Sequence, residues 1–196
     1  MKLLVFLLAV INVKSQLLLN IKSFENKNST TIIVLEIFNS GDKICKIPID
    51  TTSFKPFYHN HSFDILRPLI ELKYKNKTIN YGTKLLELDE KEIDYANKGE
   101  KIPDEKSKNS LFEIKPKQKL AIPIKFNPFE FNVENGKYDY FNIDKNRNYS
   151  ITIYIDKEKN KEQNSNNNES LYLTGQLKSN SIKAKWNLKN RKDIKR

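Results

Sequence analysis

Two stretches decide the fold: Leu120-Ala-Ile-Pro-Ile-Lys-Phe126 and Asn148-Tyr-Ser-Ile-Thr-Ile-Tyr-Ile155. In the first, Leu120, Ile122, Ile124 and Phe126 alternate with Lys119, Ala121, Pro123 and Lys125. In the second, Tyr149, Ile151, Ile153 and Ile155 alternate with Ser150, Thr152 and Tyr154. A period of two with β-branched and aromatic residues on one side predicts half-buried strands. Neither strand buries that face alone, so a facing sheet must come from the rest of the chain.

Working outward, Leu17–Phe24 reads as a first strand ending in a polar turn at 25–30. Thr31–Phe38 is almost continuously apolar, the pattern of a central strand buried on both sides or at the sandwich midline. Asn39-Ser-Gly-Asp42 is a turn, and Lys43–Ile49 returns as a strand that Pro48 marks as an edge or an end. Leu69–Tyr74 and Thr78–Tyr81 flank a hairpin tip at Lys75-Asn-Lys77, with Gly82 ending the unit. Residues 85–95 read as a strand end followed by one helical turn. Ser170–Leu177 and Ser181–Leu188 close the fold. The expected class is all-β, an antiparallel immunoglobulin-like sandwich of about eight strands, with disordered polar inserts at 97–110 and 156–169. An inward isoleucine such as Ile153 contributes about 1.5–3 kcal/mol when buried.

The 196 residues suit one domain. Met1-Lys2, the apolar run Leu3–Ile11 and Asn12-Val-Lys-Ser15 have the three parts of a secretory signal peptide, with the cut expected between Ser15 and Gln16. That run is too short to span a bilayer, and no later segment reaches the ~20 apolar residues a span requires. The domain proper is expected over 16–188, followed by a basic tail at 189–196, in a secreted monomer. Five Asn-x-Ser/Thr sequons, at Asn28, Asn60, Asn76, Asn148 and Asn168, are candidate glycosylation sites.

The net charge is +11, from 35 basic and 24 acidic residues; losing residues 1–15 removes Lys2 and Lys14 and leaves +9. The lysines are scattered among Glu, Asp and Asn without an arginine cluster or stacking aromatics, so solvated strand faces are expected rather than a nucleic-acid surface. Cys45, the only cysteine, lies in the apolar run Ile44-Cys-Lys-Ile47 and reads as a buried small hydrophobe; an intermolecular disulfide is the alternative.

The residue types of catalysis are sparse. His59 and His61 are two apart with no third metal ligand in view, so no metal or other cofactor is expected. A Cys45–His59 nucleophile pair is disfavoured because an apolar strand does not stabilise a thiolate. Asp89, Glu90, Glu92 and Asp94 form a charged surface segment. The chain reads as non-catalytic.

Four segments in order resemble the N-terminal pro-region of fungal deuterolysin-type (neutral protease 2) zinc metalloproteases. They are Ile33–Ile47 with Phe38-Asn-Ser-Gly-Asp-Lys43; Phe63–Gly82 with Asn80-Tyr-Gly82; Phe112-Glu-Ile-Lys-Pro116 through Gly136-Lys-Tyr138; and Leu173-Thr-Gly175 with Ser179-Asn-Ser-Ile182. Lys117 departs from the family's glycine after the proline. The resemblance implies a domain that helps fold, or occludes, a zinc protease catalytic domain, with processing at a dibasic pair, here Lys195-Arg196. It carries over no catalytic or metal residue, because the chain has no His-Glu-x-x-His. The alternative is a stand-alone extracellular or cell-wall module that binds a protein or polysaccharide.

Overall fold

Strands account for nearly all the regular structure. The computed structural model describes residues 16–27, 30–57, 67–85, 98, 109–134, 136–144, 147–157, 170–172 and 175–186. In chain order the strands are β1 (Leu17–Lys27), β2 (Thr30–Asn39), β3 (Ile44–Asp50), β4 (Lys55–Pro56), β5 (Leu69–Tyr74), β6 (Lys77–Thr78), β7 (Tyr81–Leu85) and β8 (Asn109–Ile114). They continue with β9 (Lys119–Phe126), β10 (Phe131–Glu134), β11 (Lys137–Phe141), β12 (Tyr149–Lys157), β13 (Ser170–Tyr172), β14 (Gly175–Lys178) and β15 (Ile182–Ala184). The expected all-β class holds: no helix occurs among the described residues, and the sheets are antiparallel apart from short parallel contacts of β13 with β3 and β4 with β5.

Among the described residues there are fifteen strand segments, against about eight expected, because several readings that look continuous in sequence change partner midway. Residues 170–177 divide into β13, paired with β3, and β14, paired with β12. The reading over 78–81 divides into β6 and β7, and Gly82 lies inside β7 opposite Tyr140 instead of ending the unit. There is a steric reason for glycine here: an added Cβ would meet the Tyr140 ring at 2.6 Å. The first strand likewise runs on to Lys27, past a bulge between Ile21 and Ser23, where a turn was expected.

One three-stranded sheet has the order β1-β2-β9. β9 behaves as its alternation predicts, with Ile122, Ile124 and Phe126 buried and Lys119, Ala121, Pro123 and Lys125 exposed. β2 is central in the sheet, but it is not buried on both faces. Ile33, Leu35 and Ile37 are fully inside, while Ile32, Val34, Glu36 and Phe38 on the other face are only half-buried.

A six-stranded sheet has the order β14-β12-β5-β4, with β15 on β12 and β6 on β5. The expected hairpin tip joins β5 to β6 through Lys75 (φ 48°) and Asn76 (φ 62°), the left-handed pair that a tight two-residue hairpin requires. β12 departs from expectation in the opposite sense to β2: all five residues from Ile151 to Ile155 are buried, including Thr152 and Tyr154. Partners on both edges and hydrogen bonds for its polar residues account for this.

The other two sheets are β10-β11-β7 and β13-β3-β8. β13 covers only residues 44–46 of β3, so Pro48 lies past the end of that pairing. Buried faces of all four sheets contribute to one apolar cluster. Its centre is Phe126, which meets Phe54, Phe131, Phe141 and Trp186 edge-on at centroid distances of 5.4–6.4 Å, the geometry aromatic quadrupoles favour. Trp186 is anchored by its Nε1, which donates to Thr31 Oγ1 at 2.9 Å.

Candidate functional sites: a buried polar seam and an open sheet face

A polar cluster joins the end of β3 to the sheet β10-β11-β7. Asp50 closes β3 and is fully buried; Arg67, just before β5, donates to its Oδ2 from Nε at 2.8 Å and from Nη2 at 2.7 Å. Thr52 donates to Oδ1 from both its backbone N–H (2.9 Å) and its hydroxyl (2.6 Å). Arg67 Nη1 then reaches Asn132 Oδ1 on β10 at 2.6 Å. Asn132 Nδ2 passes the chain on to Asp139 Oδ2 of β11 at 2.6 Å, and Thr83 Oγ1 of β7 donates to Asp139 Oδ1 at 2.7 Å. Asn132 takes a left-handed φ of 51°, held by these two side-chain bonds and by its N–H on Ser53 Oγ.

Burial alone would push the Asp50 carboxyl up. The Thr52 hydrogen bonds and the Arg67 guanidinium outweigh it and hold the group below the ordinary carboxylate range. Such a carboxylate, with its lone pairs committed, is a weak base. Two guanidinium donors converge on one carboxylate oxygen while Thr52 holds the other, which fixes Arg67 against the end of β3. One sequence signal pointed to it: Arg67 is one of four arginines in a lysine-rich chain and sits in the apolar run Ile65-Leu-Arg-Pro-Leu-Ile70.

A second buried carboxylate, Glu71 of β5, receives Tyr154 Oη of β12 at 2.9 Å, Lys73 Nζ at 3.0 Å and Thr78 Oγ1 at 3.3 Å. Phe57 lies against the Tyr154 ring at 4.3 Å between centroids. These contacts let β12 bury the polar half of its alternation.

Of the residues singled out from sequence, Cys45 is buried as expected, and burial pushes its thiol up, away from the thiolate. Asn76 is exposed on its hairpin tip, and Asn148 is exposed just ahead of β12. Gln16 is described and hydrogen-bonded. Ser15, Asn28, Asn60, Asn168, His59, His61, Asp89, Glu90, Glu92, Asp94, Lys195 and Arg196 lie outside the described residues, as do nearly all of both expected inserts. Among the described residues no three His, Cys, Asp or Glu side chains are grouped to hold a metal. No helix among them is long and apolar enough to cross a membrane.

The outer face of β1-β2-β9 carries half-buried apolar side chains, and strand register orders it in rows. Leu18, Phe38 and Lys119 form one row; Asn20, Glu36 and Ala121 the next; then Ser23, Val34 and Pro123; then Glu25, Ile32 and Lys125. Leu18 is 48 % exposed. Lys119 bridges Glu36 at 3.1 Å and reaches over the Phe38 ring. The result is a line of apolar side chains along β2, interrupted by Glu36, with Lys119 and Lys125 on one side and Glu25 on the other. The alternation of β9 gave its lysine edge in advance; the apolar outer side of β2 read instead as a second buried face.

Comparison with family models, curated proteins and solved structures finds no match to this chain.

Proposed function

We propose that this chain is a secreted, non-catalytic immunoglobulin-like β-sandwich that docks on a deuterolysin-type zinc protease domain and assists its folding or occludes its cleft. One observation carries the reading: the open face of β1-β2-β9 puts Ile32, Val34 and Phe38 between the exposed lysines of β9 and the polar edge of β1. Apolar centres with a charged rim are the anatomy of protein interfaces, and the net charge of +9 left after loss of residues 1–15 favours an acidic partner. The family resemblance supplies the partner class. The turn at Lys115–Gln118 supports it further, because Lys117 adopts φ 60°, the conformation glycine prefers, where the family carries glycine.

The test mixes the purified domain, at micromolar concentration, with a refolding deuterolysin-type catalytic domain. Wild-type protein should raise the refolding yield or slow peptide cleavage. A variant carrying Ile32→Ser, Val34→Ser and Phe38→Ser should melt as a folded protein yet lose that effect. No effect of the wild type on either readout refutes the reading.

A further inference from the structure

Gln16 is the first described residue, and its polar atoms are built into the turn between β2 and β3. Its Nε2 donates to Asn39 Oδ1 at 3.1 Å and to the Lys43 carbonyl at 2.9 Å. Its own carbonyl accepts the Ser40 backbone N–H at 2.8 Å and the Ser40 hydroxyl at 2.9 Å. The side chain lies directly on Gly41: a Cβ there would come within 2.1 Å of Gln16 Cγ and Cδ, so only glycine leaves the seat open. Asn39, which receives the carboxamide, is fully buried and uses its own Nδ2 on the Lys43 and Ile114 carbonyls at 2.7 and 2.9 Å.

This seat acquires a chemical meaning if the signal peptide is cut between Ser15 and Gln16, the reading on which the inference rests. An N-terminal glutamine is self-reactive. Its α-amine attacks its own Cδ, a new C–N bond closes the five-membered lactam, and the Cδ–Nε2 bond breaks. The departing nitrogen takes up a proton and leaves as ammonia, and no oxidant or reductant is required. Closure would remove the nitrogen that donates to Asn39 and Lys43, and would need the side chain to lift off Gly41 and fold back on its own amine.

We propose that the mature chain begins at Gln16, and that the seat formed by Asn39, Gly41 and Lys43 keeps this glutamine from closing to pyroglutamate. The fold thereby preserves a free α-amine at its own first residue.

The experiment secretes the full chain from a eukaryotic host and identifies the N-terminal peptide by mass spectrometry. It then compares ammonia loss from that peptide in folded protein and in the same protein unfolded in urea, at one pH and temperature. The expected result is an uncyclised Gln16 that closes roughly ten- to hundredfold more slowly when folded, the factor for two hydrogen bonds that must open first. Gly41→Ala should erase most of that protection. Protein that begins at Gln16 but is secreted as pyroglutamate, or that closes equally fast folded and unfolded, overturns the seat and leaves the cleavage reading standing. A different first residue overturns both.

Discussion

β12 and β2 hold equivalent places, each in the interior of its sheet, yet their burial is opposite to what their sequences advertise. β12 alternates apolar with polar and is buried on both faces; β2 is nearly all apolar and is buried on one. Polarity set the expectation, but hydrogen-bond satisfaction decided the outcome. Tyr154 can go inside because Glu71 accepts its hydroxyl, and Thr152 Oγ1 reaches Ser181 Oγ at 3.4 Å. Ile32, Val34 and Phe38 stay half-open, so their hydrophobicity is available to something other than the core.

The comparison can be broken most severely at Ile153, which is fully buried at the middle of β12. Ile153→Lys places an unpaired charge in the core and should abolish cooperative thermal unfolding; a normal melt would refute the central place of β12. Next is the polar seam. Arg67→Ala strands the buried Asp50 carboxylate and should cost about 3–5 kcal/mol in urea unfolding.

The same pair sets an acid limit. The Asp50 pKa is lower in the folded than in the unfolded chain, so its stabilisation is present above the ordinary carboxylate value of ~3.9 and fades as pH falls through the depressed value. A melting series below pH 5 should show that loss in the wild type and a flatter response in Asp50→Asn, which starts less stable. Tyr154→Phe removes one of three donors to Glu71 and should cost about 1 kcal/mol. Smallest of all, Phe38→Ser on the open face should shift stability by less than about 1 kcal/mol. If it cost as much as a core substitution, the face would be covered and the proposed docking surface lost.

Strand identity was legible wherever alternation and turn chemistry agreed. Leu120–Phe126 and the Lys75-Asn76 hairpin tip could be read directly, and Cys45 announced its own burial. Sheet order was less accessible, because β13 and β14 come from one apparently continuous stretch and no local signal marks the change of partner. The Asp50–Arg67–Asn132–Asp139 seam was invisible to period counting: its members are up to 89 positions apart in sequence and meet only after the sheets assemble. Lys117 and Asn132 show the related point that a left-handed backbone need not be marked by glycine when neighbouring contacts hold it.

The two ends of the described chain are fastened to each other. Asn180 Oδ1 accepts the Ile21 N–H at 2.7 Å, Asn26 Nδ2 donates to the Lys185 carbonyl at 3.2 Å, and Phe24 meets Trp186 edge-on at 5.7 Å. The two hydrogen bonds each span 159 positions. At ribosomal rates of about 5–20 residues per second, the outer edge of β1 therefore waits on the order of ten to thirty seconds for its partner to be made. The fold completes itself last at the strand that was synthesised first.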